Sequence, residues 1–500
     1  MGIVKRDGLK LALISWAGLL LGFVNKIIFF PKYLEADQVG LATVLVNISV
    51  LFSQLASMGS AGLILKFFPY FNNDTHKHHG FITWVFKLAT IGSIVTTLFF
   101  LVFKTPITHF FAEKSPLLVQ YYYYIIPLGL ATLSYMIFDA YLRSQFDTVF
   151  SSFAWEIILR IATTVSIVLY AFNLIDFQWF VIIYVIANCS ASMAILIYMY
   201  VNKNLPFTKI TTKVVKYRKH LLWFAFFSVL SGAGNNFILL IDSIFVSGFI
   251  DLRATGIFTT VGFVTSVMVV PYRAILRITA PIVANIWRKK NMVEMDKLYK
   301  NISVVCLLIG AYFFCGFWIC IDELFALMPK GEIYKEGKYV FLILCIGRLF
   351  DMATGINGVI VLTSKKYKYD LFFTIFLIIS TLICNYIFIK IVGLGMNGAA
   401  IATTTTVVVY NIIRLIFLYY HYKLQPFTLK FLSGLIIFLL ILLGCMQIPT
   451  IGYPIISIFI KGTILTLAYW LCMYGFKISH DINLSINKFL VRWGVLKKIP

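Results

Sequence analysis

The chain has 500 residues, of which 60% are hydrophobic and 13% charged, against ~45–50% apolar in a soluble domain. A mean hydropathy of +0.90 excludes a soluble enzyme or binding module and leaves a polytopic membrane protein. The net charge of +23 would suggest nucleic acid in a soluble chain; in a membrane chain the side on which the basic loops fall explains it, so neither nucleic acid nor a cofactor is expected.

A helix needs ~20 apolar residues to cross a bilayer. Lys5, Arg6 and Lys10 precede an apolar run over 11–30. That run exceeds the ~7–15 residues of a signal-peptide core and lacks a small-residue cleavage pattern, so it reads as the first spanning helix. Thirteen more follow at 39–65, 81–103, 118–142, 149–172, 178–201, 221–247, 254–286, 301–321, 339–362, 371–389, 396–420, 431–448 and 455–476. With the N-terminus in the cytoplasm, the cytoplasmic segments hold 27 Lys and Arg and the outer loops 8, the asymmetry that orients membrane helices. An even number of spans then places both termini in the cytoplasm.

The predicted fold class is all-α, with about 14 transmembrane helices. Residues 1–201 form an N-terminal six-helix lobe and 202–220 a cationic cytoplasmic linker with Lys203, Lys209, Lys213, Lys216, Arg218 and Lys219. Residues 221–420 form a second six-helix lobe, and 421–500 two additional helices and a tail. An internal repeat supports two lobes. The stretch from Tyr33 to Gly40 leads into the second helix as Phe249 to Gly256 leads into the eighth, with Gly40 and Gly256 216 residues apart. The same offset sets Lys26 opposite Asp242.

A charge near the middle of a membrane helix costs at least ~2.5–3.5 kcal/mol, so the buried charges are the candidate functional residues. Arg273 and Arg277 are spaced i, i+4 on one face, and guanidinium forks match phosphate oxygens bidentately. Lys26 and Asp242 are expected to pair as a gate between lobes, with Asp242 also a candidate proton or sodium site. Glu156 with Arg160, Arg348 with Asp351, and Asp139 with Arg143 are expected to neutralise each other locally. Lys87, Arg414 and Lys461 read as single charges that snorkel.

Other features read as structural. The eight cysteines form no C-x-x-C pair, so neither a zinc site nor a disulfide framework is expected. His76, His78 and His79 read as a solvated loop. Tyr121 to Tyr124 reads as an interfacial aromatic belt, and Gly18 with Gly22 as a close helix-packing face. Gly331 to Lys338 has five residues between its glycines and Tyr339 where a magnesium-binding hydroxyl belongs, so no nucleotide loop is present.

The segments Asp242 to Gly248, Gly256-Ile257-Phe258, Pro281, Asn385 to Phe388 and Gly393 to Ala402, with Glu323-Leu324-Phe325 to Tyr334, resemble the oligosaccharide flippases of the multidrug/oligosaccharidyl-lipid/polysaccharide exporter superfamily. The resemblance implies two six-helix lobes around a cleft that alternates between inward- and outward-open states. It implies a lipid-pyrophosphate-linked oligosaccharide as substrate, membrane lipids as surroundings, and glycosyltransferases and a polymerase as pathway partners. It places substrate-binding basic residues at Lys26, Arg273 or Arg277; Arg348 joins them as a candidate, and Lys66 sits near the end of the second helix. The expected location is a bacterial inner membrane. The competing readings are a cation-coupled multidrug exporter, whose site would favour acidic residues, and a membrane polymerase or ligase, which would need catalytic groups on a sizeable outer loop.

Overall fold

The structure, a computed structural model, describes residues 2–73, 77–145, 147–202, 208–366, 368–450, 452–478, 483 and 487. His76, Lys203 and most of the C-terminal tail lie outside them. Among the described residues the chain is helical, with no strand. Eleven helices are long and apolar enough to cross a membrane, and two bent helix pairs raise the number to 13. In chain order the spans are α1 (Leu13–Tyr33), α2 (Ala36–Ala56), α3 (His78–Val102), α4 (Tyr122–Ser144), α5 (Val149–Ala171) and α6 (Phe177–Val201). The helix α7 (Thr212–Phe249), which is not one of those thirteen, comes next, followed by the bent α8 (Leu252–Val267 and Val270–Lys289), α9 (Met292–Ile319) and the bent α10 (Lys338–Ala353 and Asn357–Thr363). Last are α11 (Lys368–Ile391), α12 (Gly395–Tyr422), α13 (Leu429–Met446) and α14 (Pro454–Gly475). The protein is a multi-pass membrane protein.

Local signals place many starts. Glu35 and Gln38 form a reciprocal capping box before α2. Asp176 accepts from the Trp179 amide before α6, Asn291 from Glu294 before α9, and Thr428 from Phe431 before α13, each satisfying an orphan donor of the first turn.

Two expectations of continuity fail. The span read as 39–65 breaks after Ala56 at Met58 and Gly59, both with positive φ, and resumes as Ser60–Phe71. Gly59 is required there, since a Cβ would strike the Ala225 carbonyl of α7. Conversely, residues 212–220 of the basic connection are the first turns of α7.

Packing divides the chain into two units, Met1–Thr259 and Thr260–Pro500. In the first, α1 lies on α5, and the Gly18/Gly22 face is filled by Glu156 and Arg160. Those two residues pair at 2.6 Å, and Arg160 also donates to the Gly18 carbonyl. Asp139 and Arg143 pair at 2.8 Å. Tyr121 and Tyr122 are buried, with Tyr122 donating to the Phe100 carbonyl at 2.7 Å, so within the expected aromatic belt Tyr123 is the exposed member. His78 is half-buried against Phe68 and Tyr141 rather than solvated.

The repeat has a physical counterpart. A Cβ on Gly40 would overlap the Leu252 carbonyl and come within 3.1 Å of the Gly256 amide; a Cβ on Gly256 would overlap the Ala36 carbonyl and come within 3.1 Å of the Gly40 amide. Ala36 and Leu252 are themselves 216 residues apart. The entries to α2 and α8 therefore meet in a reciprocal contact of the kind a two-fold axis generates.

In the second unit α9 packs against α10, α13 and α14, and α12 against α10 and α11. The eight cysteines are free. Lys461 does not snorkel. It is 6% exposed and pairs with Glu323, 4% exposed, at 2.5 Å. It also donates to the Ile319 carbonyl, and Ser457 donates to Glu323. This pair fastens α14 to the short helix Ile321–Leu327. Removing one partner of a buried pair typically costs ~3–5 kcal/mol, whereas replacing both by apolar groups is often near neutral. Lys461→Met should therefore lower the unfolding midpoint strongly, and adding Glu323→Leu should restore much of the loss. Burial alone would push the Glu323 carboxyl up, but hydrogen bonds from Lys461, its own backbone and Ser457, with the Lys461 charge, hold it below its ordinary 4.5. A depressed carboxyl contributes stability that is complete above pH 4.5 and is lost as pH falls through the lower folded value. Unfolding of wild type and Glu323→Gln across pH 3–7 checks this; the difference should shrink at the acidic end.

Candidate functional site

The second unit holds two broken helices. α8 bends by 50° between Val267 and Val270, with Pro271 in the first turn of the second half. α10 bends by 50° between Ala353 and Asn357, where Gly355 has a φ of +69°. Pro at the start of a half-helix gives up no ladder bond, and Gly alone enters the left-handed region without steric cost. The breaks are tied together: Tyr272 donates to the Gly355 carbonyl at 2.7 Å. Asn411 of α12 spans the α10 break, donating to Asp351 at 3.0 Å and accepting from Thr354 at 3.0 Å and Asn357 at 2.7 Å. Broken helices near the middle of a membrane bundle are where transporter sites are commonly built.

Arg273 follows the stapled Tyr272 and lies within electrostatic range of both Arg277 and Arg348. Among the described residues none of the three makes an ion pair or hydrogen bond. The local Arg348–Asp351 pair expected from their spacing is absent, because Asp351 turns to Asn411. The second half of α8 buries Tyr272, Thr279, Val283 and Ile286 and exposes Arg273, Arg277, Asn285 and Arg288, a polar stripe at helical spacing. Three guanidinium groups together with no carboxylate repel one another and favour an anion.

Two other intramembrane charges of this unit, Arg414 and Lys461, are paired. Arg414 pairs with Asp370 of α11 and stacks 4.1 Å from the Tyr410 ring centroid, so it does not snorkel. Nothing in its spacing showed Asp370 as its partner.

In the first unit Lys26 lies in a π-helical stretch, Val24–Phe29, a distortion frequent at functional sites. Its neighbour Asn25 is clamped to α5, donating to the Arg160 carbonyl at 3.0 Å and to Thr163 at 3.2 Å and accepting from Thr164 at 2.8 Å. The charged group nearest in effect to Lys26 is Arg160. The expected ion pair between Lys26 and Asp242 is not formed among the described residues; the clamp holds the π-turn against α5. Asp242 is buried at 1% exposure, and the adjacent Ser243 accepts from Asn47 of α2 at 2.7 Å.

Replacing Tyr272 by Phe removes the staple between the breaks and strands a buried carbonyl, a loss of ~1–3 kcal/mol. It should lower the unfolding midpoint in detergent while leaving membrane insertion intact, read by thermal unfolding and expression assays.

Long apolar helices, two of them broken, make this a multi-pass membrane protein with a cationic cluster beside the breaks. The chain is similar to the lipid II flippase MurJ in an inward closed conformation, with a TM-score of 0.73 at 14% identity, over 94% of this chain and 99% of that one. It is similar to an inward-facing multidrug resistance MATE family transporter, with a TM-score of 0.62 at 15% identity, over 82% of this chain and 98% of that one. In sequence it is 23% identical over 170 residues to the capsular polysaccharide biosynthesis protein CapF of Staphylococcus aureus, covering 34% of this chain and about two fifths (41%) of CapF. No family model matches.

Proposed function

We propose that the protein is a flippase that moves undecaprenyl-pyrophosphate-linked oligosaccharide units from the cytoplasmic to the periplasmic leaflet of a bacterial inner membrane. It does so by alternating access and serves surface polysaccharide synthesis. The observation that carries this reading is the cluster of Arg273, Arg277 and Arg348 with no carboxylate partner among the described residues. A pyrophosphate head supplies the missing negative charge, while its polyprenyl tail stays in lipid. These arginines bind the substrate, Lys26 is a further substrate-binding residue, and Asp242 couples an ion to the switch between states. The bias of basic residues among the loops supports an orientation with both termini in the cytoplasm.

Three further points support the reading: the MurJ neighbour is a lipid II flippase, its match extends over 94% of this chain, and the sequence relative is a capsular polysaccharide biosynthesis protein. Both structural neighbours carry transporter names, so an enzymatic polymerase or ligase is disfavoured. Glycosyltransferases and a polymerase would act before and after it. The same fold serves multidrug transporters, and one experiment separates the two. Proteoliposomes containing the purified protein should translocate a fluorescent lipid-pyrophosphate oligosaccharide and leave ethidium untouched. Ethidium transport without lipid translocation would assign the protein to drug export.

A further inference from the structure

A second cationic feature lies in the first unit, apart from the arginine cluster. The helix Ser60–Phe71 and the start of α7 enclose a cavity of about 480 Å³. Lys66, Phe67 and Tyr70 line it from one helix and Lys213, Tyr217 and His220 from the other, each set on a single face by helical spacing. The Lys66 ammonium stands 4.1 Å from the Phe224 ring centroid, and Lys213 donates to the Tyr70 carbonyl at 3.2 Å. Among the described residues neither lysine has an ion pair. No Asp or Glu occurs from 202 to 241 or from 60 to 71.

The start of α7 adds to the imbalance. A helix N-terminus carries positive partial charge and is stabilised by acidic residues. Here the first turn has no acidic residue, and Thr211 supplies no side-chain cap; its hydroxyl donates to the His79 carbonyl instead. Lys213 and Lys216 therefore stand where an anion is needed. Tyr70 and Tyr217 of the cavity wall are exposed, as aromatic side chains are at a membrane interface.

We propose that this cavity binds the phosphodiester headgroup of an anionic phospholipid, with Lys66 and Lys213 on the phosphate, the aromatic walls around the glycerol and the acyl chains in the bilayer. The site is independent of the substrate assigned to the arginine cluster. Basic pockets between helices are a recurring solution for anionic headgroups.

Native mass spectrometry of the full-length protein, released from vesicles of mixed phosphatidylglycerol and phosphatidylcholine, tests the site. The wild type should retain phosphatidylglycerol in preference to phosphatidylcholine. Lys66→Gln with Lys213→Gln should reduce that retention by about thirtyfold, while Lys66→Arg with Lys213→Arg keeps it. Should the glutamine pair fail to fold, Lys213→Gln alone should still weaken retention. Equal retention by the glutamine variants and the wild type would overturn the proposal, as would equal retention of phosphatidylcholine. Displacement of the lipid by millimolar inorganic phosphate would assign the cavity to a soluble anion and overturn it too.

Discussion

The double variant Arg273→Ala/Arg277→Ala is expected to lose lipid-oligosaccharide translocation while remaining as stable as the wild type or more so. Each charge-assisted contact to a phosphate is worth ~1.5–3 kcal/mol, so losing two should lower transport at least about a hundredfold. The stability expectation has the opposite sign because Arg273 sits among cations and has no carboxylate partner among the described residues. Removing mutually repelling groups relieves the folded state. A charge cluster kept for folding would behave in the reverse way, with unfolding at lower temperature and transport falling only with protein level. Arg273→Lys should fall between, keeping charge and losing the bidentate fork. Thermal unfolding in detergent and translocation in vesicles separate the two outcomes.

The second large effect is expected at the crossing of α2 and α8. Gly40→Ala should destabilise the protein by ~1–3 kcal/mol, since the added methyl overlaps a backbone carbonyl that cannot rotate away. Gly256→Ala should cost a similar amount, because the contact is reciprocal. The two losses should not add. Once one methyl has pushed the helices apart, the second enters space already opened, so the double variant should be little worse than either single. A thermodynamic cycle from unfolding in detergent measures this. Full additivity would mean that the two glycines do not share one contact.

The fold was largely readable. The apolar runs marked each of the eleven to thirteen helices long and apolar enough to cross a membrane. Caps at Glu35, Asp176, Asn291 and Thr428 mark starts that hydropathy alone leaves indefinite. The repeat at Gly40 and Gly256 was visible as spacing, although that they touch each other was not. The breaks were missed because Met58–Gly59 and Thr354–Gly355 sit inside uninterrupted apolar stretches, where hydropathy sees no punctuation.

Charge partners were legible only when local. Glu156 with Arg160 and Asp139 with Arg143 share a helix at i, i+4 and pair as expected. Arg348 and Asp351 have a comparable spacing, yet a tertiary partner, Asn411, captures the aspartate. Glu323 with Lys461 and Asp370 with Arg414 join different helices, so no local pattern announces them. With Asp351 engaged by Asn411 and Asp370 by Arg414, neither carboxylate pairs with Arg273, Arg277 or Arg348.

The most direct test is equilibrium binding of a lipid-pyrophosphate-linked oligosaccharide to the purified protein. Wild type and Arg273→Ala/Arg277→Ala/Arg348→Ala would be compared with the corresponding polyprenyl alcohol, which lacks the pyrophosphate. Tight binding by the wild type, dependent on the pyrophosphate and lost in the triple variant, is the predicted result. Equal affinity of the two proteins for the charged lipid would contradict the assignment of these arginines as the substrate site.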